Sequence, residues 1–244
     1  MKVPVIRGVI DRRILVNYQV DPDALRGVLP PSLEPKLVDG VGIGGICLIR
    51  LREIRPRFVP RALGIRSENA AHRIAVRLPD GGEGVFVPRR DTSSALNSLA
   101  GGRLFPGTHH RARFDVRESG GSYSVRVQSP EGEVLLGVRA RVCDELPGGS
   151  AFASIDEASA FFEAGSLGYS PSREAGTLEG LELRTTSWHV APLAVDEVAS
   201  SFFEDEHRFP RGSVRFDSAL LMRDIRHEWH ARKPLYCGEA RAAV

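Results

Sequence analysis

Lysine is almost missing from this chain. Only Lys2, Lys36 and Lys233 occur, and the other 30 of the 33 cationic residues are arginines. Catalysis through a lysine amine therefore has three residues to draw on. Cysteine is scarce as well: Cys47, Cys143 and Cys237 are odd in number, far apart and without C-x-x-C spacing. A disulfide framework is not expected, which suits a reducing cytoplasm. Long apolar runs are absent, so no membrane span is expected. The first residues, Met1 to Arg7, carry charge too early for a secretory signal. A large charge of either sign is lacking too, with 31 acidic residues leaving a net +2. The arginines are scattered, with no basic block and no interleaved aromatics, so neither nucleic acid nor membrane is an expected partner.

What remains is a globular composition, 42% hydrophobic and 26% charged, in 244 residues. No repeat, low-complexity tract or linker divides the sequence, and one domain over residues 1–244 is expected. Arg13 to Val20 is rich in strand formers. Asp21-Pro22 then starts a helix, the aspartate capping free amides and the proline fitting the first turn, and Pro30-Pro31 stops it. His72 to Leu78 alternates, Asp80-Gly81-Gly82 turns, and Val85 to Val87 returns. Asp91 is expected to cap a short helix ending at Gly101-Gly102. The runs His110 to Arg117, Tyr123 to Gln128 and Val134 to Cys143 read as an antiparallel meander. Ser154 to Glu157 matches a capping box ahead of another short helix. Glu182 to Val190 and Ala219 to Trp229 read as late strands, and Val195 to Phe203 as a helix. The expected fold class is mainly β (α+β): an antiparallel or mixed sheet closed as a barrel, which removes exposed edges, with a few short helices.

The glycine-rich stretch Gly40 to Ile49 contains G-x-G, but Val and Ile dominate and a strand pattern runs on to Ile54. A dinucleotide site needs a strand, a phosphate-holding turn and a helix. Glycines here read instead as sites of bending or close packing in a barrel. No cofactor is expected.

The segment from Asp11-Arg12-Arg13 through Tyr18 to Asp21-Pro22-Asp23-Ala24-Leu25-Arg26, ending Val28-Leu29-Pro30-Pro31-Ser32-Leu33-Glu34, resembles the opening of acetoacetate decarboxylase-like proteins. With Phe105 to Ala112, Phe161-Phe162 and Trp188, the rest is more similar to an uncharacterised branch of that superfamily, a domain of unknown function. The resemblance implies a cone-like barrel around a small buried pocket, a lyase-like chemistry and a homo-oligomer. It places Arg12 on the family's active-site arginine and Glu68 on its catalytic glutamate. A second acidic position falls near Gly44 or Gly45, so that carboxylate is missing. Where the decarboxylases carry their Schiff-base lysine, this chain has His109-His110.

Imidazole forms no stable imine with a ketone, so neither histidine replaces that lysine. Lys36 follows the Pro30-Pro31 stop on an expected surface turn, and Lys233 lies near the tail. His109 or His110 could instead serve in acid–base work, or be a wall residue and an exposed one, because neighbours on a strand face opposite sides. The same alternation sends one of Arg12 and Arg13 inward. A buried arginine holds either a ligand carboxylate or a structural ion pair, Glu68 being the partner in the second case. His227-Glu228-Trp229-His230 lacks the His-Glu-x-x-His spacing of a helical zinc site, and strand-surface residues are expected there. Ser93 and Ser94 have no G-x-S-x-G context, and Cys47 no obvious base.

The expected function is a metal-free enzyme acting on a small keto, enol or carboxylate compound. Arg12 would hold the anion, and Glu68 with His109 or His110 would move a proton. The alternatives are a non-catalytic barrel that binds a small ligand, and a structural or interaction protein.

Overall fold

The computed structural model describes residues 4–94 and 107–237. Strand β1 (Ile6–Val20) is followed by α1 (Pro22–Val28), the short β2 (Glu34–Pro35) and β3 (Leu37–Val38), and the long β4 (Val41–Pro56). Then come β5 (Ile65–Arg77), β6 (Glu83–Thr92), β7 (His109–Arg111), β8 (Arg113–Ser119), β9 (Ser122–Gln128) and β10 (Val134–Val142). Helix α2 (Ile155–Ala164) precedes β11 (Leu167–Pro171), β12 (Thr177–Thr185), β13 (Ala191–Ser200) and β14 (Val214–Tyr236).

Seven strands close a ring in the order β1-β4-β5-β6-β11-β12-β14 and back to β1. All neighbours are antiparallel except β6 and β11. The length of β14 makes the closure possible. Its later residues pair with β12, most of it pairs with β1, and its early residues also pair with β13. From there a second sheet, β13-β10-β9-β8, folds over the outer wall of the ring. Ile14, Val16, Leu48 and Ala70 of that wall pack with Val125, Val127, Leu136 and Val138 of the second sheet. Inside the ring, Leu15, Ile43, Cys47, Leu51 and Met222 form a separate apolar cluster with Phe152 and Phe162.

The local signals explain most boundaries. Asp21 Oδ1 accepts from the amides of Asp23 and Ala24 at 2.7 and 3.3 Å, and α1 ends before Pro30. Ser154 Oγ accepts from the Glu157 amide at 3.1 Å, while Glu157 returns to the amide of Ala153 at 2.7 Å. The close-packing reading of the glycines in β4 agrees with the geometry: a Cβ on Gly45 would sit 2.4 Å from the carbonyl oxygen of Val16.

Two expected helices differ. Asp91 lies in β6, fully buried and paired with Arg89, so it starts no helix; residues 95–102 of that expectation lie outside the described residues. The run expected as a helix from Val195 is strand β13 through Ser200, because pairing with β10 takes up its backbone groups. The run from His110 to Arg117 divides into β7, parallel to β6, and the start of β8.

Candidate functional site

The ring encloses a cavity of about 140 Å³. Every ring strand lines it, with Arg13, Cys47, Arg73, Val87, Gly168, Leu181 and Trp229 among the walls. A smaller recess continues toward α2, bordered by Arg13, Lys36, Arg73, Phe161 and Phe162.

The charged groups at this apolar space are mainly cationic, with Asn69, Ser166 and His109 as neutral polar neighbours. Arg73 is only 4% exposed, and among the described residues it forms no ion pair. Its guanidinium donates to Asn17 Oδ1 and lies 4.5 Å from the centre of the Phe162 ring. The Nε of Arg73 has no hydrogen-bond partner among the described residues. Arg13 touches two sulfurs, Cys47 Sγ at 3.2 Å and Met222 Sδ at 3.9 Å, and stands 5.6 Å from the Trp188 ring. Arg90 donates twice to Ser170 Oγ, at 3.1 and 2.9 Å. Neither has a carboxylate partner within the described residues. Burial works against the charged form of Arg73 and of Arg90. Asp91 also borders the cavity, but Arg89 occupies its carboxylate.

Of the two histidines expected near the site, His109 lines the cavity and His110 is exposed, as alternation on β7 requires. Burial pulls the pKa of His109 down to about 4, and the neighbouring Arg90 pulls the same way. The imidazole is thus neutral near pH 7, able to accept or donate a single proton.

Arg12 and Glu68 come together, but on the other side of the wall. Arg12 is fully buried and pairs with Glu68 and with Glu118 of β8, both at 2.6 Å. Arg50 bridges the same two carboxylates at 2.5 and 2.9 Å. This network ties β1, β4 and β5 of the ring to the second sheet, and neither Arg12 nor Glu68 borders the cavity. The expectation that Arg12, Glu68 and a histidine share one concavity is therefore replaced by a different grouping: Arg13, Arg73, Arg90 and His109. A bulge explains the exchange. Ile6 and Ile10 point into the ring, and counting onward in twos would send Arg12 inward. The register slips between Ile10 and Arg12, so Arg13 and Leu15 face inward instead. Arg73 carried a usable signal, because it shares a strand face with Ala75 opposite the apolar Ile74 and Val76. Arg90 had none.

Two further residues differ from expectation. Lys36 is turned inward at the recess, its Nζ 2.6 Å from Glu83 and 4.1 Å from the centre of the Phe161 ring, whereas Lys233 is exposed. His227 is buried, not on the strand surface, and packs on Trp229 with ring centres 4.4 Å apart. No group of three or more His, Cys, Asp or Glu suited to a metal ion occurs among the described residues. Nor does any described helix have the length and apolarity to cross a membrane.

Comparison with solved structures finds the same architecture in proteins of very different sequence. Acetoacetate decarboxylase from Legionella pneumophila superposes with a TM-score of 0.63 at 13% identity, over 94% of this chain and 87% of that one. An acetoacetate decarboxylase-like enzyme from Sphingomonas wittichii RW1 gives 0.60 at 12% identity, over 96% and 94%. The enduracididine biosynthesis enzyme MppR, complexed with pyruvate, gives 0.62 at 12% identity, over 98% and 92%. At such identities the likeness establishes the fold, an acetoacetate decarboxylase-like one. Among curated proteins, no sequence match is found. The family model DUF2071, described as an uncharacterized conserved protein (COG2071), matches residues 10–219, and the chain belongs to that family.

Proposed function

We propose that the ring interior binds a small carboxylate-bearing keto or enol compound and moves a proton on it by acid–base chemistry. The observation that carries this reading is the set of arginines at the cavity without carboxylate partners among the described residues. An unpaired guanidinium in an apolar space is costly, and an anionic ligand would supply the missing charge. Arg13 and Arg73 border both the cavity and the recess, so the anion-holding role assigned to Arg12 passes to them. Neutral His109 is the candidate proton carrier. Glu68, committed to Arg12 and Arg50, becomes part of the tie between the sheets. A pocket of roughly 150 Å³ accommodates one benzene, so a cavity of about 140 Å³ suits a molecule of similar size. Pyruvate bound to MppR, a protein of the same fold, fits this range and class.

Schiff-base decarboxylation is not part of the proposal, because Lys36 is held as an ion pair with Glu83 and Lys233 faces outward. Thermal unfolding with pyruvate, acetoacetate and the uncharged ketone butanone tests binding. At a hundredfold excess over Kd a ligand stabilises by about 2.7 kcal/mol. Both acids should raise Tm and butanone should not; equal responses would refute the anion site. Deuterium uptake at C3 of bound pyruvate in heavy water then separates enzyme from binder. Uptake that is lost in His109→Gln with binding retained supports catalysis. Binding without uptake leaves a ligand-binding protein.

A further inference from the structure

The thiol of Cys47 has no part in that proton transfer, yet it stands inside the cavity against a guanidinium. Cys47 lies on the inner face of β4, 9% exposed, and borders the cavity. Arg13 Nε is 3.2 Å from its sulfur. Arg73 and Arg90 border the same space. Beside Cys47 the buried Arg73 also lines the cavity, bonded to Asn17 through one guanidinium nitrogen and with its Nε without a hydrogen-bond partner among the described residues. The other two cysteines have different surroundings. Cys143 is partly exposed, with its sulfur 3.3 Å from the carbonyl oxygen of Glu145, and the buried Cys237 is 2.8 Å from Ser32 Oγ.

We infer that Cys47 is a nucleophile for small electrophiles whose reacting carbon carries a carboxylate. The inference rests on the anion site proposed above, because the arginine that holds the carboxylate is the one that touches the sulfur. A carboxylate bound to Arg13 brings the adjoining carbon to Cys47. For a 2-oxo acid that carbon is the carbonyl. The sulfur's electron pair forms the C–S bond, the carbonyl π pair moves onto oxygen, and that oxygen takes up the proton released by the thiol. The product is a hemithioketal, and the step needs no oxidant, reductant or leaving group.

Iodoacetate mimics this arrangement irreversibly, since its reacting carbon also adjoins the carboxylate. The sulfur's pair forms the new bond, iodide leaves with the C–I pair, and the thiol proton goes to solvent. The native protein is treated at neutral pH with iodoacetate or with uncharged iodoacetamide, and peptide mapping gives the rate at each cysteine. The ratio of the two rates at Cys47 should exceed that at Cys143 by roughly tenfold or more, the scale of one charge-assisted hydrogen bond. In Arg13→Gln the excess should vanish. Pyruvate should slow labelling of Cys47 and leave Cys143 unchanged. Equal ratios at the two cysteines in the native protein, or a Cys47 inert to both reagents, would overturn the inference whether or not the variant folds. A high ratio at Cys47 without protection by pyruvate would keep the nucleophile and remove the 2-oxo acid reading.

Discussion

Arg12 and Arg73 are both buried arginines, and their replacement by methionine should have different consequences. Arg12 is fully buried between Glu68 and Glu118 at 2.6 Å each. Removing one partner from a buried ion pair costs about 3–5 kcal/mol, mostly through the charge left behind. Here Arg50 still reaches both carboxylates, and each is slightly exposed, at 16 and 18%. The lower end, about 3 kcal/mol, is therefore expected for Arg12→Met. For a protein of this size 1 kcal/mol moves Tm by about 2–4 °C, giving a fall of roughly 6–12 °C. Among the described residues Arg73 has no carboxylate to strand. Arg73→Met loses a hydrogen bond to Asn17 and a contact with the Phe162 ring, but relieves an unpaired buried charge. The opposing effects should leave ligand-free stability within about 1 kcal/mol of wild type. Urea and thermal unfolding of both variants, with and without pyruvate, measure the contrast. Arg12→Met should be unstable yet respond to ligand where it remains folded; Arg73→Met should be stable and lose the response. If Arg73→Met falls as far as Arg12→Met and still responds to ligand, Arg73 is a structural residue and the anion site is misplaced.

Acid should destabilise the fold through its buried histidines. Burial holds His72 at a pKa of about 3 and His227 at about 4, with nearby arginines adding to both effects. The unfolded chain takes up these protons near pH 6.5 and the native state does not, so stability is full above that pH. It falls as pH drops toward 4, by up to about 1.4 kcal/mol per pH unit for each histidine. His72→Leu should flatten the urea-derived slope by one histidine's share, and an unchanged slope would show that His72 protonates without unfolding. Gly45→Ala should cost about 2–3 kcal/mol, because the new methyl meets a backbone oxygen of β1. Gly27→Ala on α1, with nothing within 4 Å, should add about 0.5–1 kcal/mol. Equal denaturation midpoints for the two would contradict the packing of β4 on β1. Borohydride treatment with acetoacetate should leave the intact mass unchanged, since an ion-paired ammonium is a poor nucleophile. A reduced adduct mapped to Lys36 would place an imine at the recess.

The caps at Asp21 and Ser154, the hairpin turn at Asp80-Gly81-Gly82 and the meander of β8, β9 and β10 were legible because each depends on neighbours in sequence. So was the opening motif, which pointed to the acetoacetate decarboxylase-like fold, and so was the scarcity of lysine. Helix against strand at Val195 was not legible, since β10 across the sheet decided it. The site was half legible. Alternation established that one of Arg12 and Arg13 faces inward and one of His109 and His110 with it. Which member of the arginine pair does so depends on a bulge near Asp11, and that bulge is set by pairing with the distant strand β4, where Arg12 stands opposite Arg50. The sequence by itself determined most strands, the caps and the scarcity of lysine, all consequences of local conformational preference and residue type. Only the tertiary structure decided that Arg12 meets two carboxylates while Arg13 and Arg73 meet none among the described residues, because charge neutralisation is settled by which strands close the ring.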